Sequence, residues 1–307
     1  MSAPDVVAPD NSVEVDIADR RLRVTNLDKV LYPAVGFTKA EVIDYYVRIA
    51  PVLLAHLHGR CITLRRWPNG VDGESFFEKR CPSHRPDWVD TSGGPGDRNG
   101  TIQYCRIEEP AALAWTANLA ALELHSPMSL AADLDSPTML VFDLDPGEPA
   151  TIIECCDVAL RIRDVLDAVG LLAWPKTSGS KGLQLYVPLN TPHTHDHASE
   201  FALAVAQLLE RQAPTLVVST MKRSARPGKV FIDWSQNSRH KTTIAPYSLR
   251  ARSEPTVSTP LTWDEVVAGA AGQPLVFTAT DVLERVGAHG DLFADTLERR
   301  QHLPTPT

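Results

Sequence analysis

A chain of 307 residues, 43% of them hydrophobic, can bury a sizeable core as one large domain or two ordinary ones. Its longest apolar stretch, Ala111 to Leu122, is broken by Thr116 and Asn118 and is too short to cross a bilayer; the N-terminus lacks the basic start and apolar centre of a secretory signal, so a cytoplasmic protein without a membrane partner is expected. The net charge of −8 argues against a polyanionic partner, yet Ser219 to Arg252 holds eight basic residues and one acid, a local +7 that leaves −15 elsewhere; a nucleic-acid contact and a solvated loop surface both fit.

In chain order, residues 1–20 read as a disordered N-terminus. Thr25 and Asn26 are cap candidates, followed by a turn at Pro33 and Gly36. Thr38 and Glu41 have capping-box spacing before a helix whose apolar positions Val42, Ile43, Tyr46 and Ile49 recur at three to four residues. "CITLRRWPNG" and "GESFFEKR" read as short strands around a Pro-Asn-Gly turn, and "DTSGGPGDRNGT" (Asp90 to Thr101) as a surface loop. "EEPAALAWTANLAALELH" predicts one helix from Pro110 to near His125. "TMLVFDLD" is a strand, "TIIECCDVALRIRDVLDAVG" a helix stopped by Gly170, and "TSGSKGLQLYVPL" a turn and strand. A helix, the strand "KVFIDWSQ", the extended "KTTIAPYSLRAR" and a Pro/Ser/Thr-rich connection to the last helices complete the chain. Irregular alternation of these elements predicts an α+β fold with a mixed sheet. Five cysteines without C-x-x-C spacing read as reduced thiols, with neither a disulfide framework nor zinc expected.

Three features carry chemistry. Asp143 and Asp145 in "FDLDPG" fall on the same side of a strand, where two carboxylates suit Mg²⁺ or Mn²⁺ or are merely solvated at a strand end. Asp233 in "VFIDWSQ" supplies a third acid, the equipment for two divalent ions or else a buried acid paired with a neighbouring Arg or Lys. "TSGSKGLQLY" sets Ser178, Ser180 and Lys181 on a small-residue turn that could admit phosphate, though it is not a Walker loop and a plain Gly-Ser turn fits as well.

Taken in order, "LDKVLYP", "RRWPNG", "FFEK", "LELH", "FDLDPG", "TSGSKGL", "KVFIDWSQN" and "KTTIAPYSLR" resemble the polymerase domain of bacterial DNA ligase D, in the archaeo-eukaryotic primase superfamily, from about Asn26 to Arg252. The resemblance implies a primase-like fold, a mixed-sheet catalytic module beside an RNA-recognition-like module with flanking helices. It implies one catalytic domain over 21–300, with a part binding DNA and a 5′-phosphate at about 21–130, a catalytic part at about 131–300, and a tail at 301–307. Asp143, Asp145 and Asp233 would be the catalytic, metal-holding acids for two ions, Mn²⁺ or Mg²⁺. Ser178, Lys181, His125, Arg226, Gln236, Arg250 and Arg65 would bind the nucleotide. Phe76 and Phe77 would include the platform on which a template base stacks, one facing out and one into the core. Lys29 and Lys39 would grip a 5′-phosphate. This chain departs from the family in having Arg65 where Lys is common, Gln184 where His is common, a short segment between His125 and Asp143, and its own loop at 90–101.

The implied activity is a DNA-directed primase-polymerase that adds ribonucleotides in preference to deoxyribonucleotides at short gaps or broken ends. The expected partners are gapped or broken DNA with a 5′-phosphate, nucleoside triphosphates, a separate DNA ligase and Ku, with the protein a monomer in a bacterial cytoplasm beside the nucleoid. A metal-dependent nuclease and a non-catalytic gap- or end-binding module are the two rivals.

Overall fold

The computed structural model of the chain describes residues 11–96 and 100–304. β1 (Ser12–Ile17) and β2 (Arg20–Thr25) form an antiparallel hairpin, so the segment expected to be disordered is paired from residue 12; residues 1–10 lie outside the described residues. Asn26 does not cap a helix with Thr25. It takes φ of 51°, a left-handed conformation that Asn tolerates, and turns the chain into β3 (Val30–Tyr32) and β4 (Phe37–Thr38). Thr38 then caps α1 (Lys39–Leu57) in the reciprocal box with Glu41 that the spacing predicts. The buried face of α1, including Val42, Tyr46, Ile49 and Leu53, anchors the first core.

β5 (Thr63–Arg66) and β6 (Phe76–Glu78) pair across the Pro-Asn-Gly turn. The glycine-rich segment beyond them is not a loop but a hairpin of β7 (Thr91–Pro95) and β8 (Thr101–Cys105), with 97–99 outside the described residues. Glycine is required inside β7 because a Cβ at Gly94 would meet the Tyr104 ring at 2.8 Å. β8 also brings Cys105 to Cys81, and the two form a disulfide, contrary to the reading of five free thiols. Cys61, Cys155 and Cys156 are free and buried. Spacing concealed the pair, since its members are 24 residues apart and meet only through the tertiary fold.

The predicted helix up to His125 is two elements, α2 (Pro110–Asn118) and β9 (Ala121–Pro127), separated by Ala120 at φ of 56°. β9 lies between β5 and β17 (Thr242–Ile244), and satisfying its backbone on both edges outweighs the helix preference of Ala, Leu and Glu. β10 (Ser129–Leu130) and β11 (Asp133–Pro137) lead into β12 (Met139–Pro146), followed by α3 (Ile152–Ala168), β13 (Trp174–Thr177), β14 (Leu183–Pro188), α4 (His195–Gln212), β15 (Val217–Val218) and β16 (Val230–Asp233). α5 (Trp263–Ala270) and α6 (Ala279–His289) close the chain.

Two sheets organise the molecule. The larger has the order β13-β14-β12-β16-β15, antiparallel except for β15 with β16, and the smaller is β17-β9-β5-β6. Leu140, Phe142 and Leu144 of β12 are fully buried with residues of α3 and α4, each stabilising the sheet by about 1.5–3 kcal/mol. The smaller sheet does not end with the N-terminal part, because β17 adds a strand and Tyr247, Leu249, Val257 and Val282 enter its core. The two sheets therefore do not divide at about residue 130: the chain returns to the first sheet after building the second. The tail expected from 301 also packs, with Gln301 bonded to Leu172 and Pro188 and Leu303 buried; 305–307 lie outside the described residues. No helix among the described residues is long and apolar enough to cross a membrane.

Candidate active site

β12 carries the two aspartates at the centre of the larger sheet. Its alternation sends Leu140, Phe142 and Leu144 under the helices and turns Asp143 and Asp145 to the other face. β16 pairs with β12 so that Asp233 lies directly across from Asp143. Burial first, then the charge of Asp145 and that of Asp233, push Asp143 up to about 7, against the hydrogen bond it accepts from Gln184. Burial and Asp233 raise Asp145 as well, opposed by Arg226 and Arg250. The donor set is hard carboxylate oxygen crowded with like charge, which fits Mg²⁺ or Mn²⁺. Among the described residues no three His, Cys, Asp or Glu side chains close into a metal cage. Asp233 is held by the turn that follows it, accepting from the Ser235 amide (3.1 Å), the Ser235 hydroxyl (2.6 Å) and the Gln236 amide (3.2 Å).

This crowding makes a pH prediction. Asp143 has a folded value near 7 against an ordinary 3.8, so its contribution to stability is fully present below about 4 and is lost as pH rises through about 7. Calorimetric melting in a chelator should show wild-type stability falling over that window relative to Asp143→Asn, which removes the repulsion.

A cleft of about 310 Å³ in front of Asp143 and Asp145 is also lined by His125, Ser178, Lys181, Gln236 and Arg250. Five of the seven predicted nucleotide residues thus share one cavity with the two aspartates. Arg65 and Arg226 are not in its lining. Arg65 lies between the rings of Trp67 (4.6 Å) and Phe77 (4.9 Å) and faces Glu123 at 3.5 Å, whereas Arg226 sits 3.7 Å over Phe231 and donates to the Met221 carbonyl.

The small-residue turn is fixed by its own serine. Ser178 Oγ accepts from the amides of Ser180 (3.3 Å) and Gly182 (3.1 Å), so those N–H groups serve the turn and not a phosphate, and the hydroxyl keeps its own proton to donate. Gly182 cannot be larger, as a Cβ there would stand 2.2 Å from the Leu144 carbonyl oxygen. Lys181 is exposed beside Glu148, 2.8 Å away.

Gln184 faces Asp143 across β12 and β14. Its Oε1 accepts from the buried Lys176 Nζ (2.6 Å), which also bonds Ser258, and its Nε2 donates to Asp143 Oδ1 (3.0 Å). Lys176 is fully buried and its amine is driven well below its ordinary value by that burial. Gln184, marked in the sequence as a departure from the family resemblance, is thus turned to the carboxylate. Sequence reading missed Lys176, and also Glu123, the buried acid of "LELH"; an i, i+2 pairing with His125 signals it once that segment is read as a strand.

Both Phe76 and Phe77 are exposed, contrary to the expectation that one would enter the core. Arg66 stacks on Phe76 and Arg65 on Phe77, and the Phe77 ring meets His125 edge-on at 5.4 Å. β6 is the edge strand of its sheet, so the only strand beside it is β5. Lys29 is exposed and donates to Asn69, but Lys39 is buried and donates to the Thr25 carbonyl at 2.7 Å. Lys39 is lowered to about 8 by burial and by the charges of Lys29 and Arg66.

Comparison with known proteins agrees with this architecture. Residues 38–293 match the family model of the LigD primase-polymerase domain. The multifunctional non-homologous end joining protein LigD of Mycolicibacterium smegmatis is 50% identical over 276 residues, 89% of this chain and 36% of that protein. The bifunctional non-homologous end joining protein LigD of Bacillus subtilis is 32% identical over 285 residues, 92% of this chain and 45% of that one. The chain therefore spans less than half the length of these curated relatives. The solved polymerase domain from Mycobacterium tuberculosis Ligase D in complex with DNA superposes with a TM-score of 0.85 at 44% identity, covering 92% of this chain and 99% of that one.

Proposed function

The chain belongs to the LigD primase-polymerase family, and from that premise we propose that it is a template-dependent nucleotidyltransferase of DNA repair, extending a primer 3′-OH at short gaps or broken ends. One observation carries the reading: Asp143 and Asp145 share a single cleft with His125, Ser178, Lys181 and Arg250, an acidic wall facing a cationic and hydroxyl-bearing one. An incoming nucleoside triphosphate presents the complementary pattern. Lys181 and Arg250 offer charge to its phosphates and Ser178 a hydroxyl donor, while Gln236 lies beside the Asp233 carboxylate. Arg65 and Arg226 act from behind the cleft, the first by steadying Phe77 and the second by its charge near Asp145.

Asp143, Asp145 and Asp233 would hold two divalent ions, Mn²⁺ or Mg²⁺, which when bound supply charge to activate the attacking hydroxyl and to neutralise the departing pyrophosphate. Gln184, backed by Lys176, keeps Asp143 turned toward the cleft. The exposed faces of Phe76 and Phe77 give a template base a surface to stack on, next to the nucleotide through His125. Ribonucleotides are the preferred substrates in this reading, and end joining or gap repair with Ku and a separate ligase its setting.

Lys29, Lys39 and Arg66 form a cluster of like charges that a downstream 5′-phosphate would relieve. Discharge of Lys39 near its value of about 8 gives the sign of the pH effect. The affinity ratio of 5′-phosphorylated to 5′-hydroxyl gapped DNA, read by fluorescence anisotropy, should fall as pH rises through about 8, and Lys39→Met should remove most of the ratio at neutral pH.

The reading is tested by extending a labelled primer across a short gap with ribo- or deoxyribonucleotides in Mn²⁺ or Mg²⁺. Ribonucleotide addition that weakens without the 5′-phosphate supports it; tight gap binding with no addition under either metal defeats it.

A further inference from the structure

Glu123 is buried at 1% exposure on β9, two residues before His125 and on the same face of the strand. Its two oxygens are differently occupied. Oε1 stands 3.0 Å from the Arg250 Nε and accepts from the Ala251 amide at 3.3 Å, while Oε2 lies 3.0 Å from His125 Nε2 and 3.5 Å from Arg65. Burial would raise this carboxyl, but the His125 hydrogen bond and the charges of Arg250, His125 and Arg65 hold it down at about 2. It is therefore an ionised acceptor with no proton to give, and the short contact requires His125 to carry its proton on Nε2. Burial, aided by Arg250 and Arg65, lowers His125 despite the attraction of Glu123, which favours the neutral ring. In that tautomer Nδ1, which has no hydrogen-bond partner among the described residues, holds a lone pair.

We propose that Glu123 is a positioning residue for sugar selection: it fixes His125 as the Nε2–H tautomer, so that the cleft presents an acceptor, Nδ1, to the 2′-OH of an incoming ribonucleotide. The inference rests on the polymerase reading above and deepens it. A ring of the opposite tautomer would present a donor, which a 2′-OH can also meet by accepting, but the hydroxyl's own O–H would then need a different acceptor to be satisfied. With Arg65 and Arg250 already supplying positive charge on the far side of Glu123 and in the cleft wall, an acceptor is the complementary feature the sugar edge needs.

Glu123→Gln gives a nearly isosteric test. Its amide NH₂ avoids the Oε1 side, where Arg250 at 3.0 Å and the fixed Ala251 N–H already point at the oxygen, and takes the Oε2 side, where Arg65 stands farther off at 3.5 Å and the His125 ring can change tautomer to accept. The ring then accepts at Nε2 and carries its proton on Nδ1. Two readouts follow. Nitrogen-15 NMR of the histidine rings, with the His125 signal assigned by its loss in His125→Asn, should show the Nε2–H form in wild type and the Nδ1–H form in Glu123→Gln. Calorimetric binding of a ribonucleoside triphosphate against its 2′-deoxy counterpart should show a ribo preference in wild type that falls about tenfold in the variant, the scale of one hydrogen bond. The wild-type spectrum decides even if the variant does not fold: an Nδ1–H or imidazolium His125 with intact nucleotide binding overturns this inference alone. An unchanged or absent ribo preference also overturns it. Loss of all nucleotide binding by wild type overturns the polymerase reading and the sugar assignment with it.

Discussion

Asp145→Ala is expected to lower primer extension by about a thousandfold or more, the several kcal/mol that a bound cation contributes, while affinity for gapped DNA stays within about twofold. Asp145 stands at the open end of β12, where its carboxylate is crowded by the walls of the cleft yet its surface reaches solvent, and it is not part of either apolar core. Truncation therefore costs little folding energy, and removing a like charge near Asp143 and Asp233 relieves repulsion. Gel extension assays paired with anisotropy on the same DNA separate the two effects. Extension at the wild-type rate would remove Asp145 from the metal-holding set.

Arg250→Ala is expected to act on stability and nucleotide affinity together. The guanidinium is largely buried, forms the 3.0 Å ion pair with Glu123, and donates from Nη1 to the Ser178 carbonyl at 3.1 Å. It thereby joins the small-residue turn to β9. Truncation leaves the buried Glu123 with Arg65, His125 and the Ala251 amide as its remaining partners, and breaking such a pair costs about 3 kcal/mol. Urea unfolding should show that loss, and the KM for nucleoside triphosphate should rise about tenfold or more. Arg250→Lys should recover little of either, because an ammonium cannot reach Glu123 and Ser178 at once. A variant as stable as wild type would show that Glu123 draws its compensation elsewhere.

Much of this site is legible in the sequence because its chemistry is local. D-x-D on a strand puts two acids on one face whatever the surrounding fold, and β12 does so. The capping box at Thr38 is equally local and forms as spacing predicts. What escaped depends on partners distant in the chain. "ALELH" has helical composition, yet it is a strand because β5 and β17 flank it, and the misassigned period hid Glu123 behind His125. Cys81 and Cys105 have no motif, and only the return of β8 brings them together. Lys39 reads as a surface charge until the turn at Asn26 and the β3-β4 hairpin fold over it. Gln184 is visible as a departure from the family, but its direction comes from Lys176, whose burial no periodicity announces.

The most direct measurement is single-nucleotide addition at a one-nucleotide gap, with each of the four ribonucleotides offered singly against each template base. Addition of the complementary nucleotide is expected at every template base, dependent on a divalent ion and absent in Asp143→Asn. Primer shortening without nucleotide, or tight gap binding with no addition by any nucleotide, would contradict it, the first in favour of a nuclease and the second in favour of a binding module.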